Sequence, residues 1–89
     1  MRKLVFEKNA VQDLEFWSRV DLKIVKKIIE LLTSTLENPF SGLGKPEPLK
    51  RELKGYWSRR ISDEHRLVYT VTKEEIIVIA CKTHYEKLP

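Results

Sequence analysis

The chain has 89 residues, 42% of them hydrophobic and 34% charged, which suits one modest core, excludes a disordered chain, and predicts a single domain over residues 1–89. Lysine and arginine exceed aspartate and glutamate by 17 to 13, and the net charge of +4 with a pI near 9.3 favours polyanionic partners such as nucleic acid, or an acidic protein. Cys81 is the sole cysteine, so no intramolecular disulfide or cysteine-built zinc cluster is possible; the longest apolar run, Ile76 to Cys81, is too short to span a bilayer, and the early charges in Met1 to Glu7 do not suit a secretory signal. An unprocessed protein of a reducing cytoplasm is therefore expected.

In chain order, Lys3 to Glu7 reads as a short strand, and Asn9, with Gln12 three positions on, reads as the N-cap of a first helix. Ala10, Leu14 and Trp17, with Val11 beside them, recur at helical spacing until Arg19-Val20. Asp21 reads as a second N-cap. The helix it opens has an apolar stripe of Leu22, Val25, Ile28, Ile29, Leu32 and Leu36, with Lys23, Lys26, Lys27 and Glu30 off the stripe, and Asn38-Pro39 ends it. Its basic outer face suits either a solvated surface or an RNA contact.

Pro39 to Pro48 holds three of the four prolines and two of the three glycines, so it reads as a stiff loop, with Glu47 fixed between Pro46 and Pro48. A loop glutamate is ordinarily solvated; a loop held on a rigid scaffold is also where catalytic groups sit. Leu49 to Leu53 is predicted as a strand containing Lys50 and Arg51, and Gly55 as the turn that follows.

The run Trp57 to Tyr69 reads as a β-hairpin around Ser62-Asp63-Glu64. Alternation sends Trp57, Arg59 and Ile61 to one face and Ser58 and Arg60 to the other; on the returning strand His65, Leu67, Tyr69 and Val71 share a face opposite Arg66, Val68 and Thr70. Arg60 and Arg66 would then form a cationic spot suited to a phosphate, or pair with Asp63 or Glu64 as structural ion pairs. His65 reads as structural. The last strand, Ile76 to about Thr83, is apolar enough to be central or buried on both faces, with Cys81 as a small core residue. His84, Tyr85 and the tail Glu86 to Pro89 follow.

Three blocks carry a resemblance: Gly44-Lys45-Pro46-Glu47-Pro48-Leu49-Lys50, the run Trp57 to Tyr69, and His84-Tyr85. In that order, and over Lys3 to Tyr85, the chain resembles the YoeB/Txe toxins of type II toxin-antitoxin systems, within the RelE superfamily of ribosome-dependent messenger-RNA endoribonucleases. The resemblance implies an α+β fold with two N-terminal helices on one face of a twisted, mainly antiparallel sheet. It also implies that Glu47, Arg60, Arg66, His84 and Tyr85 form the active site, with Lys50 nearby.

Cleavage through a 2′-hydroxyl without metal or cofactor needs a base, a stabiliser of the charge that builds on phosphorus, and an acid for the leaving 5′-oxygen. Glu47 is the candidate base, Arg66 the charge stabiliser and His84 the acid, since histidine alone has an unperturbed pKa close to neutrality. Arg60 and Lys50 are assigned to phosphate binding and Tyr85 to stacking on a base or orienting the phosphate. The implied partners are a YefM- or Axe-like antitoxin, whose acidic segment would fold over the face bearing Arg66 and His84, the ribosome with its message, and operator DNA through the antitoxin. A homodimer stays open. The alternative is a non-catalytic module of the same fold that binds only an antitoxin and its operator, or a toxin of that fold with another target.

Overall fold

The computed structural model describes residues 1–82, so the calls on Thr83, His84, Tyr85 and the tail lie outside the described residues. Strand β1 (Lys3–Phe6) leads into helix α1 (Lys8–Val20) and helix α2 (Leu22–Glu37); a two-residue strand β2 (Glu47–Pro48), a 3-10 turn (Arg51–Leu53) and strands β3 (Tyr56–Arg60), β4 (Arg66–Val71) and β5 (Glu75–Ala80) follow. The five strands form one sheet in the order β1-β5-β4-β3-β2, antiparallel throughout except for the parallel pair of β1 with β5. Both helices pack on one face, where Trp17, Ile28 and Leu31 meet Leu67, Tyr69, Ile76 and Val78. The expected two-helix, mainly antiparallel α+β architecture is the observed one.

The helix boundaries follow from local chemistry. Asp21 caps α2 as expected, its carboxylate accepting from the Lys23 amide at 3.0 Å. Asn9 does not cap α1, which begins one residue earlier behind Glu7 without a side-chain cap. The parallel ladder explains this: the Glu7 backbone amide still donates to the Val78 carbonyl at 3.0 Å, so the chain passes from strand to helix without a gap, and the Asn9 side chain is left to donate through Nδ2 to Ile79 O at 3.0 Å.

The stripe read for α2 needs rotating. Ile28, Leu31 and Leu32 are buried with Thr35, whereas Leu22 and Ile29 are 71% and 56% exposed. Successive residues on a helix differ by about 100°, so Ile28 and Ile29 cannot both face the sheet, and Leu31 decides in favour of Ile28. Leu49 to Leu53 is not a strand either. Leu49 and Leu53 stand at helical spacing, and the turn between them closes through Leu53 N to Lys50 O at 3.1 Å and Lys54 N to Arg51 O at 3.0 Å. The strand there is instead Glu47–Pro48, an edge position that tolerates proline because one side of it needs no ladder partner.

Strand β5 lies between β1 and β4 and alternates, with Ile76, Val78 and Ala80 buried and Ile77 and Ile79 half-buried. Its register against β4 slips between Val68 and Tyr69, so Ile79 is an extra residue and both Ile79 and Ala80 join Val68 on the face away from the helices. Leu49, Leu53 and Tyr56 complete that second, smaller apolar cluster. Cys81 is fully buried, as expected of a core residue, with its thiol toward Ala10 O.

Burial, and then the charge of the buried Asp13, push the Cys81 thiol up to about 12 from its ordinary 9.0. The folded state holds this proton more tightly than the unfolded chain, so its stabilising contribution is complete below about pH 9 and is lost as pH rises from there to about 12, by about 1.4 kcal/mol per pH unit at most. Cys81→Ala should therefore show a shallower alkaline loss of stability than the parent chain when urea midpoints are compared at about pH 8 and about pH 10.5. Parallel losses in the two proteins would show that the thiol is not the group responsible.

Candidate functional site

The hairpin read from the sequence is present, and its register decides which side chains meet. Arg60 pairs directly with Arg66, Ser58 with Val68, and Glu47 with Ser58, so the glutamate and both arginines lie on the face away from the helices. Directly opposed residues have Cβ atoms about 5 Å apart, and Glu47 is one strand over and two residues along from Arg60. Glu47, Lys50 and Arg60 are exposed, whereas Arg66 is buried to 9% exposure.

The two arginines differ for a local reason. The turn Ser62 to His65 closes with Ile61 N on His65 O at 3.0 Å, which turns three carbonyls inward. Arg66 Nη1 donates to them: Ser62 O at 2.8 Å, Asp63 O at 3.2 Å and His65 O at 3.2 Å. All side-chain hydrogen bonds of Arg66 among the described residues go through this one nitrogen. It meets the main chain of Asp63 and not the carboxylates of Asp63 or Glu64, so the structural ion-pair reading of the hairpin arginines does not hold there. A guanidinium gripped at one nitrogen keeps a fixed orientation and can present its other donors to an anion without first ordering itself.

Arg59 lies on the opposite face of the same strand, where alternation places it with Trp57 and Ile61. It is fully buried, and all five of its N–H groups are used. Nε donates to the Tyr69 hydroxyl at 3.0 Å; Nη1 donates to Ser34 Oγ at 2.9 Å and Leu43 O at 3.0 Å; Nη2 donates to Asn38 O at 2.7 Å and Ser41 O at 2.9 Å. Tyr69 in turn donates to Pro39 O at 2.7 Å. Burial raises the Tyr69 phenol above its ordinary value, against the pull of the Arg59 hydrogen bond and charge. The last turn of α2 contains no basic residue, and Arg59 brings a cation from the sheet to that negative helix end.

This network carries the loop to the site. The Arg60 amide donates to Gly44 O at 2.7 Å, and Gly44, at φ 81°, lies so close to α2 and β3 that an added Cβ would stand 2.7 Å from Leu31 Cδ2 and 3.1 Å from Arg60 O. Three residues later Glu47 joins the sheet. Its position is thus fixed from behind, through Arg59 and Gly44, while its side chain stays exposed.

A second clamp holds the other end of the described chain. The Cys81 amide donates to Asp13 Oδ2 at 2.9 Å, and Trp17 Nε1 donates to Cys81 O at 2.8 Å. His65 Nδ1 contacts Lys82 O, and its ring stands edge-on to Trp17 at 4.9 Å. The chain therefore leaves β5 against the residue that precedes Arg66. His84 and Tyr85, singled out from the sequence, lie beyond this point and outside the described residues. The sequence carried a signal for Asp13, which shares a helical face with Ala10 and Trp17, and for Arg59, a charged residue at an apolar position of its strand. Among the described residues no cluster of histidine, cysteine, aspartate or glutamate could hold a metal ion, and no helix is long and apolar enough to cross a membrane.

Residues 6–85 match the family model described as the YoeB-like toxin of bacterial type II toxin-antitoxin systems. Toxin YoeB of Escherichia coli K12 is 51% identical over 83 residues, covering 93% of this chain and 99% of that one. Among solved structures, the YoeB dimer from Staphylococcus aureus superposes with a TM-score of 0.88 at 48% identity, over 94% of this chain and 98% of that one. The heterotetrameric YoeB-YefM complex from the same organism gives 0.86 at 48% identity, over 96% and 99% of the two chains.

Replacing Arg59 with methionine would strand two hydroxyls and three carbonyls that now accept from it. The loss should be at least about 3 kcal/mol by urea denaturation, with Arg59→Lys intermediate because an ammonium has fewer donors and no fork. Amide exchange at Arg60, which reports on its bond to Gly44, should quicken in both variants. An unchanged urea midpoint in Arg59→Met would show that the loop is held by other means.

Proposed function

The chain belongs to the family of YoeB-like toxins of bacterial type II toxin-antitoxin systems, and from that membership we propose that it is an endoribonuclease that cuts messenger RNA in the ribosomal A site and so stops translation. The observation that carries this reading is the strand register that puts Glu47, Arg60 and Arg66 on the same face of the sheet, the one on which the helices do not pack. A pure binding module has no chemical reason to hold Glu47, Arg66 and His84 together. A phosphodiester cleaved through its own 2′-hydroxyl needs a base, a cation to stabilise the charge on phosphorus and an acid for the leaving oxygen, the roles proposed for Glu47, Arg66 and His84.

In the proposed mechanism Glu47 takes the 2′-hydroxyl proton as the oxygen attacks phosphorus. Arg66, already oriented by the hairpin carbonyls, stabilises the charge that builds on the non-bridging oxygens, and Arg60 and Lys50 hold the phosphate and its neighbours. His84 protonates the leaving 5′-oxygen and Tyr85 supports a base or the phosphate. What supports the last two roles is the His84-Tyr85 block of the family resemblance and the match of the family model through residue 85; the described chain ends at Lys82, whose carbonyl contacts His65, the neighbour of Arg66. No cofactor or metal takes part.

Residues 1–89 act as a single domain in the cytoplasm under this reading. The partner is a YefM-like antitoxin, by extension from the S. aureus complex, whose acidic segment covers the arginine face and brings the toxin to operator DNA; homodimer formation extends from the S. aureus dimer in the same way. The ribosome supplies the proximity and orientation that so small a domain cannot impose on free RNA.

The test is single-turnover cleavage of a defined message on programmed ribosomes. Arg66→Ala and His84→Gln should each lower the rate by about 10² to 10⁴ while the protein stays folded, and Glu47→Ala should lower it less than either. Chelation of free divalent ions should leave cleavage intact in a control that preserves the ribosome. Unchanged rates for both Arg66→Ala and His84→Gln would discard the nuclease in favour of a module that only binds antitoxin and operator.

A further inference from the structure

Five described positions have φ in the left-handed region: Gly42, Gly44 and Gly55, and also Lys45 at 52° and Arg51 at 58°. Glycine occupies such backbone without steric cost, whereas a side chain with a Cβ pays for it. Lys45 is doubly disfavoured, because the residue before a proline is steered to extended backbone and Pro46 follows it. The two positions where the chain accepts this strain both carry long cations, both are exposed, and they bracket the strand Glu47–Pro48 on its two sides. Arg51 is also fixed beside the site: Leu49 and Leu53, on either side of it, pack in the small cluster with Val68 and Ala80, on the face that carries Arg66.

We infer that Lys45 and Arg51 are contacts for the sugar-phosphate backbone of single-stranded RNA, on the two sides of the phosphate that Arg60 and Lys50 hold, and that the left-handed backbone at each sets the direction of its cation. This rests on the RNA-cleaving reading above and extends it from one phosphate to a run of them. Strain kept at a pair of cations beside a reactive carboxylate is the pattern expected where backbone conformation is selected for what the side chain meets. If loop closure alone set these angles, glycine would serve as well as it does at 42 and 44.

That contrast makes glycine the test. Lys45→Gly and Arg51→Gly both relieve backbone strain, so their thermal midpoints should equal or exceed the parent's. Binding is measured by fluorescence anisotropy of a 2′-O-methylated single-stranded RNA, which cannot react through its 2′-oxygen, at several salt concentrations between about 50 and 200 mM. Each variant should bind several-fold more weakly at low salt, and the slope of log affinity against log salt should fall by about 0.7, the loss of one single-strand phosphate contact. Arg51→Lys, which keeps the charge, should restore most of that slope. Asparagine, which tolerates this backbone, replaces glycine wherever a glycine variant melts below the parent. Unchanged slopes in both variants while Arg60→Ala lowers its own would overturn the inference, and a change confined to one position would overturn it for the other. Unchanged slopes in all three would remove the RNA reading beneath it.

Discussion

The Arg59 guanidinium is a full positive charge with no exposed surface, and its neutralisation is divided among the C-terminal end of α2, the loop after it and the Tyr69 hydroxyl. Burying such a charge is costly unless every donor finds a partner, and all five do. The same condition makes the arrangement exacting. The loop carbonyls of Ser41 and Leu43 satisfy Arg59 only in one loop conformation, and that conformation brings Gly44 against α2 and β3. Because Glu47 follows three residues later, the sheet's buried side sets the geometry of its exposed side.

The two faces thus divide the labour of the fold. Helices and the larger apolar cluster cover one; the other carries Arg60 and Arg66 at the hairpin end, with Glu47 in the next cross-strand row beside the small cluster of Leu49, Val68 and Ala80. A five-stranded sheet of this length would bury more apolar area with helices on both faces. Among the described residues no helix packs on the second face, which gives up that stabilisation and leaves Glu47, Lys50 and Arg60 exposed.

Rigidity at the open face comes from main-chain carbonyls in place of carboxylates. Three of them grip Arg66 Nη1, and the His65 that supplies one also holds Lys82 at the end of β5. Carbonyl dipoles fix a guanidinium without neutralising it, whereas an Asp63 or Glu64 carboxylate in the same place would compete with a phosphate. The hairpin turn is in this sense both the support of the cation and the link between it and Lys82, two residues past β5.

The sequence alone determined what depends on period and on punctuation. Alternation put Arg60 and Arg66 on one face, Asp21 announced α2, the Trp57 to Tyr69 hairpin could be drawn before the fold was seen, and three short blocks sufficed to place the chain in its family. These features are local, set by sterics and hydrogen bonding within a few residues. Tertiary structure decided the rest. Which of two adjacent isoleucines faces the sheet, whether Asn9 caps a helix or binds a strand, and whether Leu49 to Leu53 extends or turns were settled by the partners each segment met. Above all, alternation could place Arg59 on the apolar face but no local rule could show what would satisfy it there, because its five acceptors come from Ser34 to Tyr69 and assemble only when helix, loop and sheet are together. A buried charge is stable only as the sum of contacts distant in sequence, and that sum exists only in the folded chain.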